Sequence, residues 1–133
     1  MKHGLRTLLV AEASITALVG TRVYVETVPQ GSQLPHILIT QISTDEYNTL
    51  DGAGGMRSMD VDIDGKAAGS VSATAVADAV RAYIKNYTGT AGSYTINSVL
   101  VNDESAGYEP PTDGSDVGIY YVTLDTSIQF TES

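Results

Sequence analysis

The chain has no cysteine and no tryptophan, a single phenylalanine and two histidines, His3 and His36. Without cysteine there are no disulfides, no thiol nucleophile and no thiolate metal site. That absence suits a cytoplasmic origin. Lysine and arginine together number only seven, against sixteen aspartates and glutamates, which leaves a net charge of −9. The seven cations are scattered. Nucleic-acid binding needs a basic footprint on one face, and none is visible. An acidic surface favours solubility and repels DNA. No apolar run approaches the ~20 residues of a membrane span. The start, Met1-Lys2-His3-Gly4-Leu5-Arg6, lacks the apolar core of a secretory signal, because Leu8-Leu9-Val10-Ala11 is short and Glu12 follows it.

A length of 133 residues implies a single domain over 1–133. A chain of this size buries about two-thirds of its unfolded surface, so it can hold a core unaided. Leu5, Leu8 and Leu9 have helical spacing and predict a helix over about residues 4–12. Ser14 is placed to cap a second short helix that ends at Gly20. Val23-Tyr24-Val25 reads as a short strand, and His36 to Thr44 as a second, carrying the continuous apolar run Ile37-Leu38-Ile39. Met56 to Asp64 alternates cleanly: Met59, Val61 and Ile63 on one face, Ser58, Asp60, Asp62 and Asp64 on the other. Between these strands, Glu46 to Gly55 reads as a glycine-rich hairpin loop. Its Tyr47 and Leu50 have no core role, and Asp51, Gly52, Gly54 and Gly55 give it freedom to reshape on a partner.

The main helix is predicted to start at Ser70 or Ser72. Its apolar face is Ala73, Val76, Ala77, Val80, Tyr83, Ile84 and Tyr87, and Gly89 and Gly92 end it. Its alanines would let it lie close to a sheet. Thr95 to Asp103 is the next strand, Ala106 to Ser115 a loop stiffened by Pro110-Pro111, and Val117 to Phe130 the last strand. The expected fold is α+β: a mostly antiparallel four- to five-stranded sheet with two helices packed on one face.

The chemical motifs are weak. Asp60-Val61-Asp62-Ile63-Asp64-Gly65 resembles the start of a calcium loop, but its twelfth position is Val71, where a bidentate glutamate is needed. Gly52-Ala53-Gly54-Gly55 is followed by Met56-Arg57, not by the Gly-Lys-Ser/Thr of a phosphate loop. Neither histidine has a partner at metal-ligand spacing. No Gly-x-Ser-x-Gly elbow is present. Asp103, Glu104 and Glu109 could act as acid and base if a pocket gathered them with Tyr108. Solvated acidic loops are the commoner setting for such residues. Eight tyrosines are present, with Tyr47, Tyr94, Tyr108 and Tyr121 expected at exposed or loop positions, where tyrosine favours protein contacts.

In order and spacing, Ile15-Thr16-Ala17-Leu18-Val19-Gly20-Thr21-Arg22-Val23-Tyr24, Pro29-Gln30-Gly31, Leu34-Pro35 and Tyr47-Asn48-Thr49-Leu50-Asp51-Gly52 resemble the tail completion (tail terminator) proteins of long-tailed bacteriophages, prophages and gene-transfer particles. The resemblance continues through Val61-Asp62-Ile63-Asp64, Ala77-Asp78-Ala79-Val80-Arg81, Tyr108-Glu109 and Tyr121 to Ile128. It departs at Asp64 to Gly69, where the family would carry an aromatic and a shorter connection into the helix. The resemblance implies a non-enzymatic structural protein without cofactors or metals. It implies a hexameric ring at the head-proximal end of the tail, with the major tail tube protein on one side and the head–tail connector on the other. DNA would pass through without specific binding. The place implied is the virion tail, after assembly in the host bacterial cytoplasm. Contacts are expected at Tyr47, Leu50, Asp51, Gly52, Gly54, Gly55, Tyr108 and Glu109. Two other readings stay open: a small enzyme or ligand-binding α+β domain, and another tube or connector subunit of the same tail.

Overall fold

The computed structural model describes residues 2–29, 33–47, 56–85, 87–92, 94–110 and 118–132. Among the described residues, three helices and six strands follow in the order α1 (Lys2–Val10), α2 (Ala13–Val19), β1 (Val23–Val25), β2 (His36–Tyr47), β3 (Met56–Ala67), α3 (Ser70–Ile84), β4 (Gly89–Ala91), β5 (Tyr94–Glu109) and β6 (Ile119–Glu132). The strands form one mixed sheet in the order β1-β2-β3-β6-β5-β4, in which only β1 and β2 run parallel. The α+β class stands. The expected sheet was one or two strands too small and the helices one too few.

The differences have local causes. β4 is a three-residue strand whose Gly89 reads as a helix stop, and it exists because it pairs with Tyr94 to Ile96. Residues 106–109 are not loop. They extend β5, which stays paired to β6 as far as Glu109 opposite Ile119. Glu46 and Tyr47 likewise belong to β2. α2 is capped by Glu12, whose side chain accepts from the Ser14 N–H at 3.3 Å, and not by Ser14 itself. Gly20 does end α2, with φ of 60° and its N–H donating to Thr16 O. α3 begins at Ser70 as expected, although Tyr87 lies past its end.

All three helices cover one face of the sheet. Alternation puts Met59, Val61 and Ile63 of β3 and Val122, Leu124 and Ile128 of β6 under them, with Leu5, Leu9, Ile15, Val76 and Val80 descending from the helices. Gly65 of β3 faces α3 so closely that a β-carbon there would meet Val76 Cγ1 at 3.0 Å and the Ala77 nitrogen at 3.2 Å. The alanines of α3 and this glycine together set the depth of the helix on the sheet. α1 touches both β1 and β4, the two outermost strands. A nine-residue helix is about 13 Å long, whereas six flat strands would separate their outer members by about 24 Å. The sheet is therefore curled around α1.

Candidate assembly surface

Among the described residues the other face of the sheet carries no helix, and its side chains are mostly polar. β3 presents Asp60, Asp62 and Asp64 there, and the run is a strand, as its alternation implies. Hydroxyl groups on the neighbouring strands hold two of the three carboxylates. Ser127 Oγ and Ser43 Oγ donate to Asp60 at 2.8 and 3.2 Å, and Thr123 Oγ1 donates to Asp64 at 2.5 Å. Asp62 instead lies opposite Asp125 of β6, and Asp125 lies opposite Asp103 of β5. Three carboxylates thus form a row across three strands. Burial first, and then the charges of Asp64 and Asp125, push the Asp62 carboxyl above its ordinary range. At one end of this face Lys66 pairs with Glu109 at 3.5 Å.

Near Lys66, His36 of β2 is buried. Its ring packs edge-on against Tyr24 with centroids 5.6 Å apart, and Nδ1 lies 3.3 Å from Gln33 O. Nε2 has no partner among the described residues. Burial holds this imidazole below its usual pKa, and Lys66 and Arg22 add to the effect against the opposing influence of the Gln33 carbonyl and Glu109.

Tyr108 and Glu109 are consecutive in β5, so they point to opposite faces. Glu109 meets Lys66 on the open face. Tyr108 pairs across the strands with Tyr120, ring centroids 4.6 Å apart, and both rings stay exposed, at 48% and 38%. Asp103 lies six residues from Glu109, about 20 Å along the strand. The structure therefore does not bring Asp103, Tyr108 and Glu109 into one site. Asp103 does line a groove of about 310 Å3 with Arg81, Val101, Asn102 and Glu104. Tyr94 and Tyr121 are half-buried, Tyr94 against Phe130 at 5.4 Å, and so are not the exposed contacts expected. Tyr47 is the last residue of β2. Leu50, Asp51, Gly52, Gly54 and Gly55 lie outside the described residues.

Among the described residues no cluster of three histidine, aspartate or glutamate side chains is arranged to hold a metal ion. No described helix is long and apolar enough to cross a membrane.

Two large apolar side chains on the sheet escaped sequence reasoning: Ile42 of β2, 59% exposed, and Leu100 of β5, 57% exposed. Ile42 is the extra residue of a bulge between Gln41 and Ser43 and has no partner on β3. Leu100 lies between Val99 and Val101 in an apolar run that reads as core.

A comparison with curated proteins finds no match. Among solved structures, a chain of the virion of native gene transfer agent (GTA) particle is similar in fold, with a TM-score of 0.62. It is 23% identical, and the alignment covers 92% of this chain and 87% of that one. The family model described as tail completion protein gp17 matches residues 3–125. With almost its whole length matched, the chain belongs to the tail completion protein gp17 family.

Proposed function

We propose that this phage tail structural protein caps the head-proximal end of the tail tube as a hexameric ring and joins the tail to the head connector. The observation that carries the reading is the family match over residues 3–125. The surface chemistry agrees with it. The open sheet face is acidic, its central carboxylates stand in a row, and the chain's net charge is −9. Such a face lining a channel repels the phosphate backbone, so DNA slides past it and is not held. On this reading the protein is no enzyme. The separation of Asp103, Tyr108 and Glu109 supports that, since acid–base work needs its groups within hydrogen-bond reach of one substrate.

Contacts to the tube and the connector fall to exposed aromatic and charged groups at the sheet ends, Tyr108 and Glu109 among them. The segment Tyr47, Leu50, Asp51, Gly52, Gly54 and Gly55 supplies a further contact. Electron microscopy of the purified protein mixed with tail tubes tests the proposal. A ring of extra density at one tube end is the expected result. Density along the whole tube would favour a tube subunit, and bare tubes would overturn the reading.

A further inference from the structure

The fold covers some of its strand edges and leaves others open. On β1, Arg6 Nε donates to Val23 O at 2.7 Å and closes the outer side. Where β1 ends, Glu26 adopts a φ of 68°. Its N–H donates to Ile39 O at 2.8 Å, and its carboxylate accepts from the Gln41 N–H at 3.2 Å. A glutamate in the left-handed region is uncommon, so this cap is held at some cost. On the other side, β4 pairs with β5 only from Tyr94 to Ile96, and Ala91 of β4 lies tight against Gly4 of α1. Beyond these caps, among the described residues, no strand covers the outer edge of β2 from Ile42 onward or of β5 from Asn97 onward. Uncovered strand edges offer rows of backbone donors and acceptors to another strand.

The two open edges match each other. Ser43 is opposite Asp60, Asp60 is opposite Ser127, and Ser127 is opposite Leu100. Ile42, in the bulge beside Ser43, and Leu100 therefore stand at opposite ends of one row across the sheet. Three antiparallel pairings separate β2 from β5, so the two strands run in opposite directions. We propose that copies of this chain join head to tail, the β5 edge at Leu100 of one adding antiparallel to the β2 edge at Ile42 of the next. This rests on the ring-forming role proposed above, since a ring closes only when its contacts are heterologous and carry no axial step. Contact within one row meets that condition.

Charge favours the same register. With Ile42 opposite Leu100, position 45 falls opposite Asn97, and Asp103 falls opposite Ile39, which β1 already covers, so no carboxylate strand position meets another. A two-fold pairing of β5 with itself would leave the β2 edge uncovered. The bulges at Gln41/Ser43 and Val101/Asp103 interrupt both edges, which limits pairing to a short stretch and disfavours other partners.

The absence of native cysteine makes the test direct. Ile42→Cys and Leu100→Cys variants are mixed, alone and with tail tubes, and oxidised. Opposed residues of antiparallel strands lie within disulfide reach. The expected result is a dimer only in the mixture, and a ladder ending at the ring number for the double variant. Disulfides within either single variant, or assembly without the mixed disulfide, would overturn the edge pairing. Ile42→Arg, at an exposed position, should keep its melting temperature and lose assembly. Wild-type-like assembly of that variant would also overturn it. If tubes are capped without the cross-link, the pairing fails and the proposed function stands. If the cross-link forms but tube ends stay bare, the pairing stands and the proposed function fails. If neither occurs, both fail.

Discussion

Asp62 of β3 and Asp125 of β6 face each other directly across an antiparallel pair, with no cation between them among the described residues. Like charges so placed destabilise a sheet. Asp103 extends the conflict to β5. By contrast, Asp60 and Asp64 accept hydroxyl bonds from serine and threonine, so their charge is partly accommodated. The fold thus carries a row of like charges across three strands, in agreement with the channel-lining role proposed above.

Replacing Asp62 by asparagine should therefore stabilise the protein at neutral pH, by about 0.2–1 kcal/mol, the range for a cross-strand charge pair. The sign follows from the raised carboxyl pKa. Between its unfolded value of about 3.9 and the higher folded value, the native state holds more protons, so stability falls as pH rises through that window. Above the window the full penalty persists. Thermal melts of Asp62→Asn and wild type should differ at pH 7 and converge below about pH 4. An equal difference at both pH values would show that charge is not the cause.

His36 predicts the opposite trend. Its folded pKa is depressed by burial, so as pH falls below about 6.5 the unfolded chain takes up the proton first. Stability is lost from there down to the folded pKa, with a slope of up to about 1.4 kcal/mol per pH unit. In His36→Leu this part of the acid sensitivity should vanish. Urea titrations at pH 7.5 and 5.5 measure it. Parallel losses in both proteins would place the sensitivity elsewhere.

At Gly65 the prediction is steric. A β-carbon would press on the backbone of α3, which cannot turn aside as a side chain can. Gly65→Ala should cost about 1–3 kcal/mol, as overpacking does. Gly69→Ala is the control, because nothing lies within 4 Å of a β-carbon there. Equal melting temperatures for the two variants would contradict the close approach of α3 to β3.

The sequence revealed what periodicity can carry. Met59, Val61 and Ile63 alternate, and Ala73, Val76, Ala77 and Val80 recur at helical spacing, so β3 and α3 were legible with their buried faces. β4 was not, because Gly89-Thr90-Ala91 has no pattern and is a strand only through its partner. Residues 104–109, Glu-Ser-Ala-Gly-Tyr-Glu, contain little that favours a strand, and pairing with β6 overrides that composition. On the surface, Tyr108 and Glu109 are neighbours in sequence, yet one step along a strand turns them to opposite faces. Ile42 and Leu100 became visible only when the bulges and the register were known.

The acidic row gives the last prediction. Asp62→Lys with Asp125→Lys reverses its centre while leaving the hydroxyl-bonded Asp60 and Asp64 in place. If the open face lines a channel, rings should still form and cap tubes, because the Ile42 and Leu100 edges are untouched. Particles built with the variant should then release DNA more slowly, and raising the salt should restore part of the rate by screening the new cations from phosphate. If the face instead packs against a neighbouring subunit, assembly itself should fail. Ejection kinetics and electron microscopy of the same preparation separate the two outcomes. Wild-type release at all salt concentrations from correctly assembled particles would show that DNA does not pass along this face.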